Sequence, residues 1–217
     1  MAGRTHPHLP VGDAASKDGG MWRNAKSALS GMLRDFHGVD RAVYQAVADI
    51  PSAHLDGPVR RLSNAANHSF LWMGIAGAMA VLGGSRERVA AVEGTLAIAV
   101  TSAIVNLGVK PLAGRARPMR GPNASASRHV QMPASRSFPS GHAASAFAFA
   151  HAVGRHTPVL GVPIHLLAAA VAYSRVHTGV HYPGDVVIGA VVGSSTAAAV
   201  GAVCDRLCGL TSHARHG

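Results

Sequence analysis

Three short segments of this 217-residue chain hold side chains whose types and spacing suit chemistry on a phosphate group. KPLAGRARP, from Lys110 to Pro118, carries Lys110, Arg115 and Arg117; FPSGH, from Phe138 to His142, carries Ser140, Gly141 and His142; SRVHTGVHYPGD, ending at Asp185, carries Arg175, His177, His181 and Asp185. A phosphate dianion is matched by a planar, bidentate Arg beside the point charge of a Lys. Lys110 and Arg117 each abut an expected helix end, and Pro118 sets the turn after the arginine. Ser140 and Gly141 open a helix behind Pro139, where free backbone N–H groups attract an anion and glycine permits close approach. Ser140 is equally an ordinary N-cap. His142 projects from the first turn toward the same anion, the position of a general acid. Asp185 follows His181 by four residues. A carboxylate that holds one imidazole N–H sets the tautomer and leaves the other nitrogen free to attack phosphorus, although an Asp opening an apolar helix is also a common N-cap. His177 is the nearest rival nucleophile and has no carboxylate at matching spacing.

The elements that must position these groups are helical and apolar. Only 14% of the residues are charged, against roughly 25% in soluble domains, which points to a membrane. The net charge of +10 comes without the aromatic platforms of single-strand nucleic-acid binders, so anionic lipid or phosphate is the expected partner and nucleic acid is not. Arg outnumbers Lys 17 to 3, a bias of high-GC bacterial genomes. Cys204 and Cys208, four apart on one helix face, specify neither a metal site nor a disulfide framework. We divide the chain into a disordered basic N-terminus (1–20), amphipathic interfacial helices (21–58), a transmembrane core (59–208) and a polar tail (209–217). In the second of these, Leu29, Met32, Leu33, Phe36, Val39, Val43 and Val47 recur at three- and four-residue spacing between charges.

Five apolar segments follow, about Ser69–Gly83, Val89–Val109, Ala143–Val153, Val159–Tyr173 and Val186–Val203. Ala, Gly and Ser dominate them, and Gly189, Gly193 and Ala197 repeat at the four-residue spacing that lets helix backbones pack closely. The expected fold is all-α, a compact transmembrane bundle of about five crossings with an N-terminal amphipathic helix. Five single crossings put all three motif segments on one side of the membrane, a result the motifs did not require. Lys110, Arg115, Arg117, Arg120, Arg128 and Arg136 crowd one loop there. A cation in hydrocarbon costs about 2.5–3.5 kcal/mol, so each is expected to face water, headgroups or an anion.

The segments match the patterns K, six residues, RP; PSGH; and SR, five residues, H, three residues, D. All three are complete and in order, and the chain resembles the type 2 phosphatidic acid phosphatase family, the lipid-phosphate branch of a superfamily that includes vanadium haloperoxidases. The resemblance covers roughly Ser69–Val203, and the combined pattern is far more specific than any one motif. It implies that Lys110, Arg117 and Arg175 hold the phosphate with Ser140 and the Gly141 amide. His181 attacks to give a phosphohistidine, Asp185 orients it, and His142 protonates the leaving alkoxide and then activates water, with no metal or other cofactor. The chain departs from the usual pattern in having His177 where a bulky aromatic is common, and five expected crossings where larger relatives have six.

The implied substrate is a lipid phosphate: phosphatidate, a polyprenyl phosphate or diphosphate, or a lipid-linked sugar phosphate. The short chain also resembles the decaprenylphosphoryl-phosphoribose phosphatases of mycobacterial wall synthesis. An integral protein of a bacterial cell membrane with anionic-lipid contacts is implied. Fifteen of the twenty Lys and Arg fall on the motif side, which favours a cytoplasmic site. The sequence leaves open the oligomeric state and the roles of residues 1–58 and His177. The competing classes are a non-enzymatic anionic-lipid-binding protein and a vanadate-dependent haloperoxidase-like enzyme.

Overall fold

The computed structural model describes residues 14–120 and 126–214, and those residues fold into helices and turns without a strand. Two compact units divide the chain, Met1–Ala42 and Val43–Gly217. Helix α1 (Ala14–Asp49) is one continuous helix of 36 residues. It begins within the stretch expected to be unstructured up to residue 20, and residues 1–13 of that stretch lie outside the described range. Met32, Phe36 and Val39, at helical spacing, are exposed along it.

In the second unit Pro51 separates α1 from α2 (Ala53–Ala65). A single 3-10 turn at Asn67–Ser69 bends the path by 62° into α3 (Phe70–Leu82). Next comes α4 (Ser85–Ala113), π-helical over Ile104–Val109, then α5 (Gly141–His156), α6 (Pro158–His177) and α7 (Pro183–Ala214). The helix α7 runs on into the stretch expected as a polar tail from residue 209. Each of the five expected apolar segments is helical. Helices α4, α6 and α7 (to Cys208) are long and apolar enough to cross a membrane, and the bent α2–α3 pair meets the same measure if counted as one span. The sixteen residues of α5 fall short of the roughly 20 that span hydrocarbon. It is instead the central helix, walled by α4, α6 and α7, and nine of its residues are buried.

The packing is that of a membrane bundle. The interior is built of alanine, including Ala90, Ala97, Ala146, Ala150 and Ala168, while Val81, Leu107, Val159 and Leu166 face outward. With lipid as apolar as any core, close backbone approach by small residues does the work of association. A methyl group on Gly193 would overlap the Ala144 carbonyl of α5, and one on Gly94 would meet the ring of Phe149. That ring sits against Trp72 with centroids 5.6 Å apart. At one end of the bundle Glu93 of α4 forms an ion pair with Arg155, whose Nε lies 3.0 Å away, and pairs with His156 Nε2 at 2.8 Å.

At the other end a buried network replaces part of the expected cationic loop surface. Arg128 does not face headgroups: it is 8% exposed and donates to Asp56 Oδ1 at 3.1 Å, to Ser52 Oγ at 2.8 Å and to the carbonyls of Ala48 and Ile50. Asp56 also accepts from Ser127 Oγ at 2.9 Å and pairs with His177 Nε2 at 3.0 Å. A guanidinium can be buried here because a carboxylate and several carbonyls supply the partners that water would have given. His177 therefore joins α6 to α2 and to the 126–128 turn, and is no rival to His181. Removing the carboxylate leaves Arg128 and His177 buried without their shared acceptor, so Asp56→Ala is expected to cost about 3–5 kcal/mol. Thermal unfolding in detergent, with Asp56→Asn as the milder comparison, checks this.

Candidate active site

The three motif segments converge at the end of the bundle where α4 stops and α5 and α7 start. Gly114, in the left-handed conformation at φ 58, ends α4 as glycine commonly does at a helix C-terminus. Arg136 Nη1 donates to its carbonyl at 2.7 Å. The chain past it carries Arg115 and Arg117 across to the start of α7. The Arg115 Nη1 donates to Asp185 Oδ1 at 2.8 Å, and its guanidinium lies 4.2 Å above the Tyr182 ring. Arg117 donates through Nε to the Ser135 carbonyl at 2.9 Å and through Nη1 to the Val180 carbonyl at 2.7 Å. The same Nη1 faces His181 Nε2 at 3.2 Å.

His181 stands in the short turn between α6 and α7. Its backbone N–H, like that of Val180, folds back onto the Arg175 carbonyl, at 3.2 and 3.1 Å, which is the local reason for the five-residue spacing between Arg175 and His181. The imidazole is 2% exposed. Its Nδ1 lies 3.5 Å from Asp185 Oδ2 and 3.4 Å from Ser137 Oγ. A guanidinium only donates, so Nε2 beside Arg117 presents its lone pair and the proton sits on Nδ1, toward Asp185. That is the tautomer a nucleophilic Nε2 requires. Burial pushes the His181 pKa down to about 4; the hydrogen bond to Asp185 opposes the shift, and the positive charges of Arg117 and Arg175 reinforce it. The neutral form thus remains dominant well below the usual histidine midpoint near 6.5. A titration of histidine-labelled protein by NMR should find this ring still neutral at pH 6.

Asp185 is the third residue of α7, and its Oδ2 accepts the Tyr182 backbone N–H at 2.9 Å, the reciprocal half of a capping box. It also accepts the Ser137 hydroxyl. Asp185 is thus not the N-cap residue itself, the plain reading of an Asp before an apolar run: it caps from inside the first turn, and the same carboxylate faces the histidine. Ser140, fully buried, caps α5 by accepting the Ala143 N–H at 3.4 Å. Its own N–H donates to the Asp185 carbonyl at 2.9 Å, which ties the start of α5 to the start of α7.

Lys110 Nζ donates to Asn106 Oδ1 at 3.0 Å and lies 3.5 Å from where a Gly141 side chain would begin, so glycine there keeps the amine against the helix N-terminus. Arg175 is 1% exposed. Its Nη1 donates to Ser63 Oγ at 2.6 Å, while its Nε is buried without a hydrogen-bond partner, an unmet donor beside the cluster. His142 Nε2 pairs with Asn67 Oδ1 at 2.9 Å. All eight expected residues thus come to one end of the bundle.

Four contributors escaped the sequence reading. Arg115 looks in sequence like any of the six loop cations, and nothing local pairs it with Asp185, 70 residues on. Ser135 and Ser137 precede FPSGH by a few residues and look like ordinary loop serines. Asn67 is 75 residues from His142 and carries no local signal at all.

The family model of the PAP2 superfamily matches residues 91–206. Decaprenylphosphoryl-5-phosphoribose phosphatase from Mycobacterium tuberculosis is 36% identical over 177 residues, covering 80% of this chain and 91% of that protein. The protein of the same name from Mycolicibacterium smegmatis is 37% identical over 149 residues, covering 68% and 77%. Among solved structures, a PAP2-type phosphatidylglycerolphosphate phosphatase from Bacillus subtilis superposes with a TM-score of 0.61 at 23% identity, covering 79% of this chain and 87% of its own. LpxE from Aquifex aeolicus gives a TM-score of 0.61 at 20% identity, covering 73% and 92%; both likenesses speak to the fold. The motif order, the bundle and these matches agree: the chain belongs to the PAP2 superfamily and is an integral membrane phosphatase.

Proposed function

We propose that this protein hydrolyses a phosphomonoester on a lipid-linked sugar, releasing inorganic phosphate, with His181 as the nucleophile. The observation that supports this most is the orientation of His181, whose Nδ1 faces Asp185 and whose Nε2 lone pair is turned to Arg117. When phosphate enters, Arg117 moves its donor from Nε2 to a phosphate oxygen. Lys110, Arg175, Ser140 and the Gly141 amide complete the cradle. Nε2 forms a bond to phosphorus as the bond to the leaving oxygen breaks; His142, held neutral by burial and the neighbouring cations until the phosphate's negative charge enters, takes up a proton with the substrate and gives it to that oxygen. Water then attacks the phosphohistidine, passing a proton to His142, and inorganic phosphate leaves with His181 restored to its neutral form. The cations neutralise the equatorial oxygens, the part Mg²⁺ plays in many phosphoryl transfers.

The substrate class is favoured by the relatives named for decaprenylphosphoryl-5-phosphoribose, at 36% and 37% identity. The site opens on the cytoplasmic side. Of the described Lys and Arg in the second unit, Arg60, Arg61, Lys110, Arg115, Arg117, Arg120, Arg128, Arg136 and Arg175 lie toward the motif end, against Arg86, Arg88, Arg155 and Arg206 at the other, and positive loops stay inside. The exposed stripe of Met32, Phe36 and Val39 fits an interfacial helix against anionic lipid.

Phosphate release from a detergent-solubilised panel tests the proposal. The panel comprises phosphatidate, a polyprenyl phosphate and a prenyl-phosphoryl ribose 5-phosphate, each with and without EDTA. Release that survives EDTA and is fastest on the sugar phosphate is the expected outcome. Loss of activity in EDTA, or phosphatidate as the best substrate, would count against it.

A further inference from the structure

Beside the phosphate cradle lies a cavity of about 170 Å³. Lys110, Gly141 and His142 form one wall, and His181 is not among its lining residues. In phosphoryl transfer the attacking and leaving atoms stand roughly in line on opposite sides of phosphorus. A cavity bordered by the proton donor, with the nucleophile outside its lining, suits the leaving alcohol.

The far walls are polar, although they belong to membrane helices. Ser69 comes from the bend between α2 and α3, Ser102 and Asn106 from α4, and Ser145 from α5. Several hydroxyls elsewhere in the bundle are turned back onto their own backbone: Thr95 donates to the Ala91 carbonyl, Ser174 to Val171, Thr178 to Ser174 and Thr196 to Val192. At the cavity, Ser102 and Ser145 instead face each other across the helix boundary with oxygens 3.5 Å apart, the outer limit of a hydrogen bond. Ser145 is one turn beyond His142 on the same face of α5. Asn106 falls within the π-helical stretch Ile104–Val109, a local widening that often accompanies function. With its Oδ1 engaged by Lys110, its amide still holds two donors. The bend itself is built from non-glycine residues in left-handed conformations, His68 at φ 52 and Ser69 at φ 61, and His68 is also on the lining. By contrast, the larger groove between α3 and α4 is lined by Met73, Ala76, Val92 and Leu96, the surface an acyl or prenyl chain would choose.

We propose that this cavity is a leaving-group subsite for a polyhydroxylated alcohol, and that Ser102 and Ser145, with Asn106 and Ser69, select a sugar phosphate over the phosphate of a plain alcohol. This rests on the function proposed above. A sugar hydroxyl replaces the weak Ser102–Ser145 contact with hydrogen bonds to both, and a hydrocarbon alcohol leaves both hydroxyls unsatisfied. A site built to bond a substrate hydroxyl rejects the analogue that lacks one.

The test compares kcat/KM for a farnesyl-phosphoryl ribose 5-phosphate with that for farnesyl phosphate, in the wild type and in Ser102→Ala, Ser145→Ala and the double variant. The ratio of the two substrates is expected to fall about tenfold in each single variant and further in the double variant, on the scale of one lost hydrogen bond per site. A ratio that stays at the wild-type value overturns the subsite, while continued turnover of both substrates leaves the phosphatase assignment standing. If the double variant loses its fold, the ratios in the single variants decide. A wild type that hydrolyses neither substrate would refute the proposed function, and the subsite with it.

Discussion

Replacing His181 with alanine is expected to lower phosphate release from any lipid phosphate by at least about 10⁴-fold, the scale on which loss of a catalytic nucleophile or its base acts in covalent hydrolysis. The fold is expected to survive, because the ring's partners keep each other: Asp185 still accepts from Arg115, Ser137 and the Tyr182 N–H, and Arg117 still donates to the Ser135 and Val180 carbonyls. No neighbour is placed to take over. Ser140 is buried as a helix cap, Ser137 is engaged by Asp185, and His142 directs Nε2 at Asn67. The loss should fall on kcat, since Lys110, Arg117 and Arg175 remain in place. Labelled phosphate trapped on the wild-type protein should be base-stable and acid-labile, as expected for phosphohistidine, and should be absent from the variant. A His181→Ala enzyme that keeps more than a small fraction of wild-type turnover would exclude the mechanism.

Asp185→Asn is expected to be nearly as damaging, about 10³- to 10⁴-fold in kcat, for a different reason. An amide is close in shape to the carboxylate; with its oxygen kept on Arg115, its NH2 takes the Oδ2 position, where it faces His181 and gives up the contacts to the Tyr182 N–H and the Ser137 hydroxyl. The charge is lost, however, together with the exclusive acceptor character that holds the proton on Nδ1. Facing an amide N–H, His181 adopts the tautomer with its proton on Nε2, and the lone pair turns away from phosphorus. Arg115 loses its carboxylate partner at the same time, so the melting temperature must be measured alongside. Ser137→Ala removes one hydrogen bond to the same oxygen and should cost far less, roughly tenfold. Equal losses in the two variants would show that the short chain from Ser137 to Asp185 matters more than the charge. An unchanged KM in Asp185→Asn would place its effect in orientation of the nucleophile rather than in binding.

The Asp56 network shows why the cationic loop was only partly legible. Six cations between Lys110 and Arg136 look alike in sequence, and the cost of burying charge assigns all of them to water or anions. In the fold Arg128 is buried on Asp56, 72 residues earlier, and Arg115 is paired with Asp185, 70 residues later. Lys110 and Arg117 stay with the motif histidines at the same end of the bundle, Lys110 on Asn106 and Arg117 beside His181. His177, ambiguous in the sequence, is explained by the same carboxylate. Among the apolar segments, length and composition located each helix, but the 62° bend at Asn67–Ser69 and the π-helical turn before Lys110 depend on what packs around them.

By itself the sequence determined what is local: five apolar helices rich in small residues, a serine and a glycine opening one of them, and a histidine four residues before the aspartate that opens another. Periodicity and capping act within a turn or two of helix, so these relations can be read without the fold. The tertiary structure alone decided which arginine meets which carboxylate, that Asn67 holds His142, and that a polar cavity opens between α4 and α5 beside Lys110. Those partners are brought together by helix packing across tens of residues, and no spacing along the chain records them.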